Sequence, residues 1–443
     1  MYQFEFENLE FGRGSLAELI SFDRYVITSN DIYSAKESDV VIFIKDKESN
    51  TQLVGTITHN MNDLELMEVE AHDGSGLYTV AYENARLVKE LKPAQLWSRW
   101  AKGAASVEAT DEGRKITEDA FRWLLDGYRY VPGGRIQNML GQEFAGLGLQ
   151  KSNLSAYNCL VLPSPKCDEE ETPLQNWIEI LKVAKREANS MAYGCGVGLN
   201  ISTVPKEIEG PKNTASVTFY MPDKHPEKEN FKDFSNGIIG IPPHQHSYQI
   251  VVKDSRFGIF DALIQMVELI YEGKDVIVDF SLLRPKGAFV KGINGISSGA
   301  VSWAKLFDFV VGLLKKQSVN AVDIAELFAF IPHLISQGGQ RRGALMLVLN
   351  VDHPNIEEFI EAKQTSGRIT GANLSVNLTT HFMNLIAFDE EDAVELFDQI
   401  CELAHKSAEP GVLFMGRAQA DSNTNYYQVI DAVNPCAKLF GSR

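Results

Sequence analysis

Hydrophobic and polar residues alternate in short runs over the first 90 positions of the chain. Strand-forming residues make up three of these runs, which are VVIFIKD (Val40 to Asp46), QLVGTIT and LYTVAY. Polar turn segments such as DKESN and DGSG separate them. The pattern predicts a small β-rich module over residues 1–90, and no catalytic motif is visible in it.

From about Leu91 the apolar positions follow a helical spacing, first in QLWSRWAKGA and then in KITEDAFRWLLDGY. Apolar strands then alternate with amphipathic helices. The strand and helix pairs are NCLVLP with PLQNWIEILKVAKREANSM, VIVDFS with SWAKLFDFVVGLLKK, GALMLVLNV with NIEEFIEAK, and NLSVNL with HFMNLIAF. This alternation predicts a parallel α/β architecture, most simply a barrel, over residues 91–443. A polar stretch from Pro205 to Ser247 predicts an insertion or a long loop.

The net charge of the chain limits the classes of ligand that it is expected to bind. The 443 residues include 42 Lys and Arg against 59 Asp and Glu, which gives a net charge of −17. A nucleic-acid duplex is an unfavourable partner for such a chain, because neutralising phosphates requires a basic surface. Small anionic ligands remain compatible with it, since a few local cations and backbone N–H groups are enough to bind them.

The cysteines and the apolar runs indicate the compartment. The five cysteines are an odd, widely spread set without a C-x-x-C pair, which fits a reducing cytosol better than a disulfide scaffold. A run of about 18 apolar residues is absent, and the start MYQFEFENLEFGRG lacks the features of a secretory signal. We therefore expect a cytoplasmic protein without a membrane partner.

Three glycines in YGCGVGLNIS, at positions 194, 196 and 198, lie between a predicted helix and an extended segment. Two interpretations are open. The glycines make a tight helix-to-strand turn, or they let the backbone approach a sugar or a phosphate closely. The Rossmann fingerprint does not apply, because the helix precedes the strand and the G-x-G-x-x-G spacing is missing.

The segment SQGGQRRGALM places Arg341 and Arg342 on a loop between a helix and a buried strand. Guanidinium groups at such a junction suit phosphate or base recognition, although ordinary solvated cations near a helix end are the alternative. His244 and His246 have no third ligand at a suitable spacing, so we expect no metal site. Considered alone, Cys167, Cys195 and Cys401 are typical of structural thiols.

Ten blocks follow one another in the order found in the large chain of ribonucleotide reductases, and the sequence resembles the adenosylcobalamin-dependent class of that family. The match runs from about Leu96 to Ala437 and leaves residues 1–90 unmatched. NPC, in place of the NLC of many iron-dependent relatives, favours the cobalamin class. The blocks are PGGRI, the NC strand, GCGVGLN, DFSLLRPKGA, SSGAVS, QGGQRRGA, VDHPNIEEFI, NLSV, PGVLF and NPCA.

The resemblance implies an α/β fold, a ten-stranded barrel of two five-stranded halves with a finger loop through its centre. This chain would supply the first half and part of the finger loop. Cys436 would be the thiyl-radical residue, Asn434 would hold the substrate hydroxyls, and Cys159 would be one of the reducing pair. A barrel lumen would shield such a radical from water. The residues assigned to substrate contacts are Asn158, Cys195 and Gly196.

The resemblance also implies effector loops. The segment from Gln337 to Arg342 matches the specificity loop, and the segment from Arg284 to Gly299 would be its neighbour. Residues 205–275 resemble the insertion of the monomeric, triphosphate-reducing branch, in which an internal helix completes the effector site. The residues assigned to these loops are Asp254, Ser255, Arg284, Lys286, Gln337 and Arg341.

The implied cofactor is adenosylcobalamin, and the implied partners are a ribonucleotide substrate, a deoxynucleoside triphosphate effector and a thioredoxin-like or dithiol reductant. Two departures from the family stand out. Lys438 replaces a carboxylate that exchanges a proton with the ribose, and the chain stops at Arg443, before the second barrel half. The first hypothesis is an N-terminal portion that needs a complementary chain, because half a barrel leaves open sheet edges. The alternatives are a non-catalytic nucleotide-binding module and an iron-dependent or glycyl-radical reductase.

Overall fold

The computed structural model divides the chain into two compact units, Met1–Asn158 and Cys159–Arg443. Within these ranges no described helix combines the length and the apolar character that a membrane span needs. His244, His246 and Lys438 lie outside the described residues. The described residues are 10–24, 26, 28–29, 31–46, 51–126, 129–145, 155, 157–213, 215–240, 247–290, 295–337, 341–364, 368–437 and 440–442.

The first unit contains an antiparallel sheet of six strands in the order β1-β6-β2-β3-β4-β5. Alternate residues of β2 enter two different apolar clusters, with Val41 and Phe43 in one and Ile42 in the other, so both faces of this strand are covered. The predicted β-rich module is confirmed. Its elements are α1 (Leu16–Arg24), β1 (Thr28–Ser29), β2 (Val40–Asp46), β3 (Thr51–Met61), β4 (Leu66–Ala71), β5 (Leu77–Ala81) and β6 (Ala85–Val88).

Helices follow the sheet of the first unit. They are α2 (Pro93–Ala105), α3 (Asp111–Asp126) and α4 (Gly134–Met139). Trp97 and Trp100 of α2 join the apolar cluster that contains Ile42. The strands therefore end close to the predicted boundary at residue 90, whereas the compact unit continues through these helices to Asn158.

The second unit contains a sheet of five parallel strands in the order β21-β20-β19-β8-β7. The strands are β7 (Cys159–Val161), β8 (Gly196–Asn200), β19 (Leu345–Asn350), β20 (Ala372–Asn377) and β21 (Gly411–Leu413). Strands β7, β19 and β20 coincide with predicted apolar runs, and the predicted parallel α/β architecture is confirmed. The helices that connect and flank them are α5 (Pro173–Ala192), α8 (Ala321–Leu334), α9 (Ile356–Glu361), α10 (Thr380–Ala387), α11 (Glu391–Ser407) and α12 (Met415–Asp421).

A second sheet has four parallel strands in the order β11-β10-β13-β12, and two of them, β10 and β11, lie in the stretch predicted as an insertion or a loop. Its strand β10 was not expected, because four residues between polar segments carry too little periodicity to be recognised. The elements of this region are β9 (Ile208–Glu209), β10 (Val217–Tyr220), β11 (Ile238–Ile239), β12 (Tyr248–Val251), α6 (Arg256–Tyr271) and β13 (Val276–Asp279).

Short hairpins complete the second unit, together with α7 (Ala300–Leu314) and the short strand β16 (Ser318–Val319), which pairs with β9. The hairpin strands are β14 (Phe289–Val290) with β15 (Gly295–Ile296), β17 (Ser336–Gln337) with β18 (Arg341–Arg342), and β22 (Ile430–Val433) with β23 (Phe440–Ser442).

The main core lies between the helices and one face of the five-stranded sheet. Leu345, Leu347 and Leu349 of β19 point into it, beside the apolar side of α5. Glu187 of α5 is fully buried there, and neither of its carboxylate oxygens has a hydrogen-bond partner in the described part of the chain. Burial without such a partner raises the pKa of Glu187 well above its usual value, so this carboxyl is held in its neutral form.

Candidate active site

The β22–β23 hairpin lies on the face of the five-stranded sheet opposite to the main core. Ile430 and Val433 of β22 pack against Met346 and Val348 of β19, with Met415 completing this small apolar cluster. Because successive side chains of a strand point to opposite faces, the residues of β19 that contact the hairpin alternate with those in the main core. The hairpin therefore occupies the face on which the resemblance predicts the finger loop.

Buried polar contacts anchor the base of the hairpin. The Asn200 side chain, at the end of β8, donates a hydrogen bond of 2.6 Å to the backbone carbonyl of Asp431. Its amide oxygen accepts one of 2.8 Å from the backbone N–H of Ser202. The Ser164 hydroxyl lies 3.4 Å from a carboxylate oxygen of Asp431. Asn200 is only 2% exposed. Its buried amide is satisfied on both sides, because the nitrogen donates one hydrogen bond and the oxygen accepts another.

Gly194 and Gly196 have different structural roles. Gly194 has a φ of 86° and donates its N–H to the carbonyl of Met191, as expected for a residue that ends a helix. At Gly196 a Cβ would lie 3.2 Å from the Cys159 sulfur and 3.3 Å from Cγ of Pro435. The turn interpretation thus holds for Gly194, while the close approach at Gly196 involves the chain's own site residues.

At the tip of the hairpin a tight turn presents Cys436 to the surface. The backbone N–H of Ala437 donates a hydrogen bond of 2.8 Å to the carbonyl of Asn434, and Ala437 has a φ of 51°. Asn434 is buried, whereas Cys436, two residues later, is exposed. The turn therefore joins the buried amide of Asn434 to the exposed thiol of Cys436, two residues later.

Cys159 meets both of these residues. It begins β7, beside Gly196 in the parallel register, and its thiol makes hydrogen-bonding contacts with the side chains of Asn434 and Cys436. Burial raises the pKa of the Cys159 thiol, and the hydrogen bonds from Asn434 and from the backbone of Gly196 oppose this effect. The thiol therefore keeps its proton at neutral pH. The structure thus brings together the three residues predicted to be catalytic.

The residues assigned to substrate contacts lie in different parts of the fold. Cys195 is 1% exposed and immediately precedes Gly196 at the start of β8. Asn158 is the last residue of the first unit, and its side-chain nitrogen is 3.2 Å from the position of a Cβ on Gly133. A direct role of these residues in substrate binding stays a prediction.

Three of the residues assigned to the effector loops come together around one cavity of about 100 Å³. The Arg284 guanidinium forms an ion pair of 2.7 Å with Asp254, and the hydroxyl of Ser255 caps α6 by accepting a hydrogen bond from the N–H of Gly258. Arg256 also lines the cavity, with its guanidinium 5.1 Å from the ring centroid of Tyr193. Two arginines against one carboxylate give the lining a positive balance, which favours an anion.

The other effector residues lie elsewhere in the fold. Lys286 lies beside Gly299, which precedes α7. Gln337 is paired with Arg341 in the antiparallel register of β17 and β18, so the two ends of the predicted specificity loop are paired strands. Sequence reasoning missed Arg256 and Asn200. The only signal for Arg256 was its place after the capping serine in KDSRFG.

Parts of this chain are similar in sequence to known proteins. Residues 247–392 match the family described as ribonucleotide reductase, barrel domain. A vitamin B12-dependent ribonucleoside-diphosphate reductase of Mycobacterium tuberculosis is 31% identical over 208 residues, which are 43% of this chain and 27% of that protein. An adenosylcobalamin-dependent ribonucleoside-triphosphate reductase of Lactobacillus acidophilus is 22% identical over 426 residues, 83% of this chain and 52% of that protein.

A solved structure agrees with these matches. The crystal structure of a B12-dependent, class II ribonucleotide reductase superimposes with a TM-score of 0.57 at 17% identity, covering 80% of this chain and 52% of the other. The matched part of this chain therefore spans between about a quarter and about half of the length of these relatives. The predicted resemblance is confirmed: residues 247–392 match the ribonucleotide reductase barrel domain, and parts of the chain are similar to B12-dependent ribonucleotide reductases.

Proposed function

We propose that this chain carries the radical-bearing part of a ribonucleotide reductase, which reduces a ribonucleoside triphosphate to the deoxyribonucleotide for DNA synthesis. The observation that supports the proposal best is the contact of the Cys159 thiol with both Asn434 and Cys436. A thiol at the tip of a hairpin, a second thiol beside it and an amide that can hold hydroxyls are the groups such a reaction requires.

Each residue has its own task in this proposal. The Asn434 amide offers two donors and one acceptor, so it can fix the two hydroxyls of a ribose next to Cys436. A thiyl radical on Cys436 takes the 3′-hydrogen of the ribose and returns it after the reduction. Cys159 supplies one of the two sulfur-bound hydrogens that reduction at C2′ consumes, and a second cysteine supplies the other.

Adenosylcobalamin is the cofactor we propose, in line with the names of the relatives. When bound, it supplies the one-electron chemistry that removes the hydrogen atom from the Cys436 thiol. The chain's residues fit such a group at one point, because Cys436 is exposed while Asn434 behind it is buried. The surface around the hairpin tip is where a large cofactor can reach the sulfur.

The second cysteine and the remaining strands would belong to the second barrel half. In the described residues β7 and β21 are the outer strands of the five-stranded sheet, so each offers an edge for further pairing. A thioredoxin-like or dithiol reductant would then restore the thiols, and a deoxynucleoside triphosphate would act as the effector.

Reconstitution tests this proposal. The chain is co-expressed with a second half taken from a B12-dependent relative, and deoxynucleotide formation is measured with adenosylcobalamin and a dithiol. We expect reduction that is abolished by Cys436→Ser and by Cys159→Ser and retained by Cys401→Ser, an exposed thiol on α11. Equal activity of the Cys436→Ser variant would overturn the proposed radical site.

The cavity beside Asp254 and Arg284 supports a second candidate, a nucleotide-binding regulatory module without chemistry of its own. Calorimetry separates the two functions. Binding of deoxynucleoside triphosphates without any binding of ribonucleotides favours the module, whereas binding of both favours the reductase.

A further inference from the structure

The two contacting thiols differ in their access to solvent. Cys436 is exposed at the hairpin tip, whereas Cys159 at the start of β7 is only partly accessible and lies behind it. Cγ of Pro435 and the Cys159 sulfur both lie within 3.3 Å of the position of a Cβ on Gly196, so the hairpin tip and the start of β7 meet at this glycine. A reagent from solution reaches Cys436 first, and the Cys159 thiol interacts with the Cys436 side chain.

The turn allows the small movement that a sulfur–sulfur bond requires. A disulfide brings the two Cβ atoms to about 3.8 Å. Cys436 belongs to a turn closed by the hydrogen bond from Ala437 to Asn434, and its side chain is not buried. The exposed partner can therefore adjust, while Cys159 stays fixed in the parallel sheet beside Gly196.

We propose that Cys159 and Cys436 form a reversible intramolecular disulfide when the chain meets a small disulfide oxidant such as oxidised glutathione. The Cys436 sulfur attacks one sulfur of the oxidant, whose own S–S bond breaks, and the first glutathione leaves with the Cys436 proton. The Cys159 sulfur then attacks Cys436, a protein disulfide forms, and the second glutathione leaves with the Cys159 proton. Two protein thiols are oxidised and one glutathione disulfide is reduced to two thiols.

This disulfide locks the hairpin tip to β7 and removes both thiols from any radical chemistry until a dithiol reduces it. The inference concerns the site of the proposed function, but it depends on the thiol contact and requires neither nucleotide nor cofactor. The second step should be the slower one and should accelerate as pH rises, because the burial that raises the pKa of Cys159 keeps it protonated.

Peptide mapping tests the inference on the whole 443-residue chain. The chain is treated with oxidised glutathione without air, the remaining thiols are blocked, and the non-reduced digest is analysed by mass spectrometry. We expect a linked peptide pair of Cys159 and Cys436 that forms about tenfold or more faster than in the urea-unfolded chain, because the fold holds the sulfurs together. Cys401, exposed on α11, should end as a mixed disulfide with glutathione.

Variants give the matched controls. Cys159→Ser should leave Cys436 as a stable glutathione adduct, Cys436→Ser should give no linked pair, and Cys401→Ser should leave the rate of pair formation unchanged. Folding of each variant is checked by circular dichroism. The inference is wrong if the folded chain forms the Cys159–Cys436 pair no faster than the unfolded chain, whatever its activity as a reductase.

Discussion

The carbonyl of Val433 lies so close to Gly198 that a Cβ on Gly198 would overlap it. The same Cβ would lie 3.0 Å from Cα of Asn434. Because Gly198 is in the middle of β8, the missing side chain allows the last strand before the hairpin tip to rest on the sheet. This contact determines how near the thiol of Cys436 can come to Cys159.

Replacing Gly198 by alanine should therefore displace the hairpin. The added methyl group meets backbone atoms, which cannot rotate away as a side chain can, so we expect a loss of about 1–3 kcal/mol in the free energy of unfolding. We also expect slower disulfide formation between Cys159 and Cys436. Denaturant unfolding and the mass-spectrometric assay measure the two effects.

Gly196→Ala is the matched comparison for this change, since it adds the same group two positions earlier on the same strand. Its Cβ would meet the Cys159 sulfur at 3.2 Å and Cγ of Pro435 at 3.3 Å, contacts that small shifts relieve. The cost should be smaller than for Gly198→Ala. Equal stability of the Gly198→Ala variant and the wild type would contradict the placement of the hairpin.

Asn200 should be a stronger anchor of the hairpin than Ser164, although both contact Asp431. Asn200→Ala removes a buried hydrogen bond of 2.6 Å to the Asp431 carbonyl, which should cost about 1–3 kcal/mol. Ser164→Ala removes only a contact of 3.4 Å and should cost less than about 1 kcal/mol. Urea unfolding compares the two variants, and a larger cost for Ser164→Ala would contradict this ranking.

Periodicity predicted most of the second unit. The apolar run in GALMLVLNV became β19, and the amphipathic pattern from Pro173 became α5 with its capping threonine, Thr172. These elements are long and locally consistent, so their sequence determines them. Strand β10 escaped prediction because a four-residue strand acquires its structure from neighbouring strands rather than from its own pattern.

The site was predictable only through the resemblance. Nothing in the spacing of Cys159 and Cys436 indicates contact, because their proximity follows from the parallel order of the strands and from the return of the hairpin over β8. The roles of the glycines were also hidden. A helix-ending φ at Gly194 and a steric requirement at Gly198 produce the same letter in the sequence.

Arg284 should contribute to the binding of a deoxynucleoside triphosphate if the cavity beside Asp254 receives a phosphate. Arg284→Ala removes a charge-assisted hydrogen bond and leaves Asp254 without this partner, so we expect affinity to fall by about tenfold or more. Calorimetry of the whole chain measures this affinity. Lys305→Ala, which removes an exposed cation on α7, should bind as the wild type does, and unchanged binding by Arg284→Ala would exclude this phosphate site.

Glu187 should make the stability of the chain depend on pH. Its pKa is raised in the folded state by burial, so the folded chain holds a proton that the unfolded chain releases above about pH 4.3. The free energy of unfolding should then fall as pH rises, by up to about 1.4 kcal/mol per unit, until pH passes the folded-state pKa. Glu187→Gln removes this cost, so its advantage over the wild type should grow as pH rises above about 5, until pH passes the folded-state pKa, in urea unfolding. Glu179→Gln on the same helix, where Glu179 pairs with Lys182 at 2.7 Å, should show no such growth. A constant difference between Glu187→Gln and the wild type over this range would mean that the buried carboxyl is compensated by a charge.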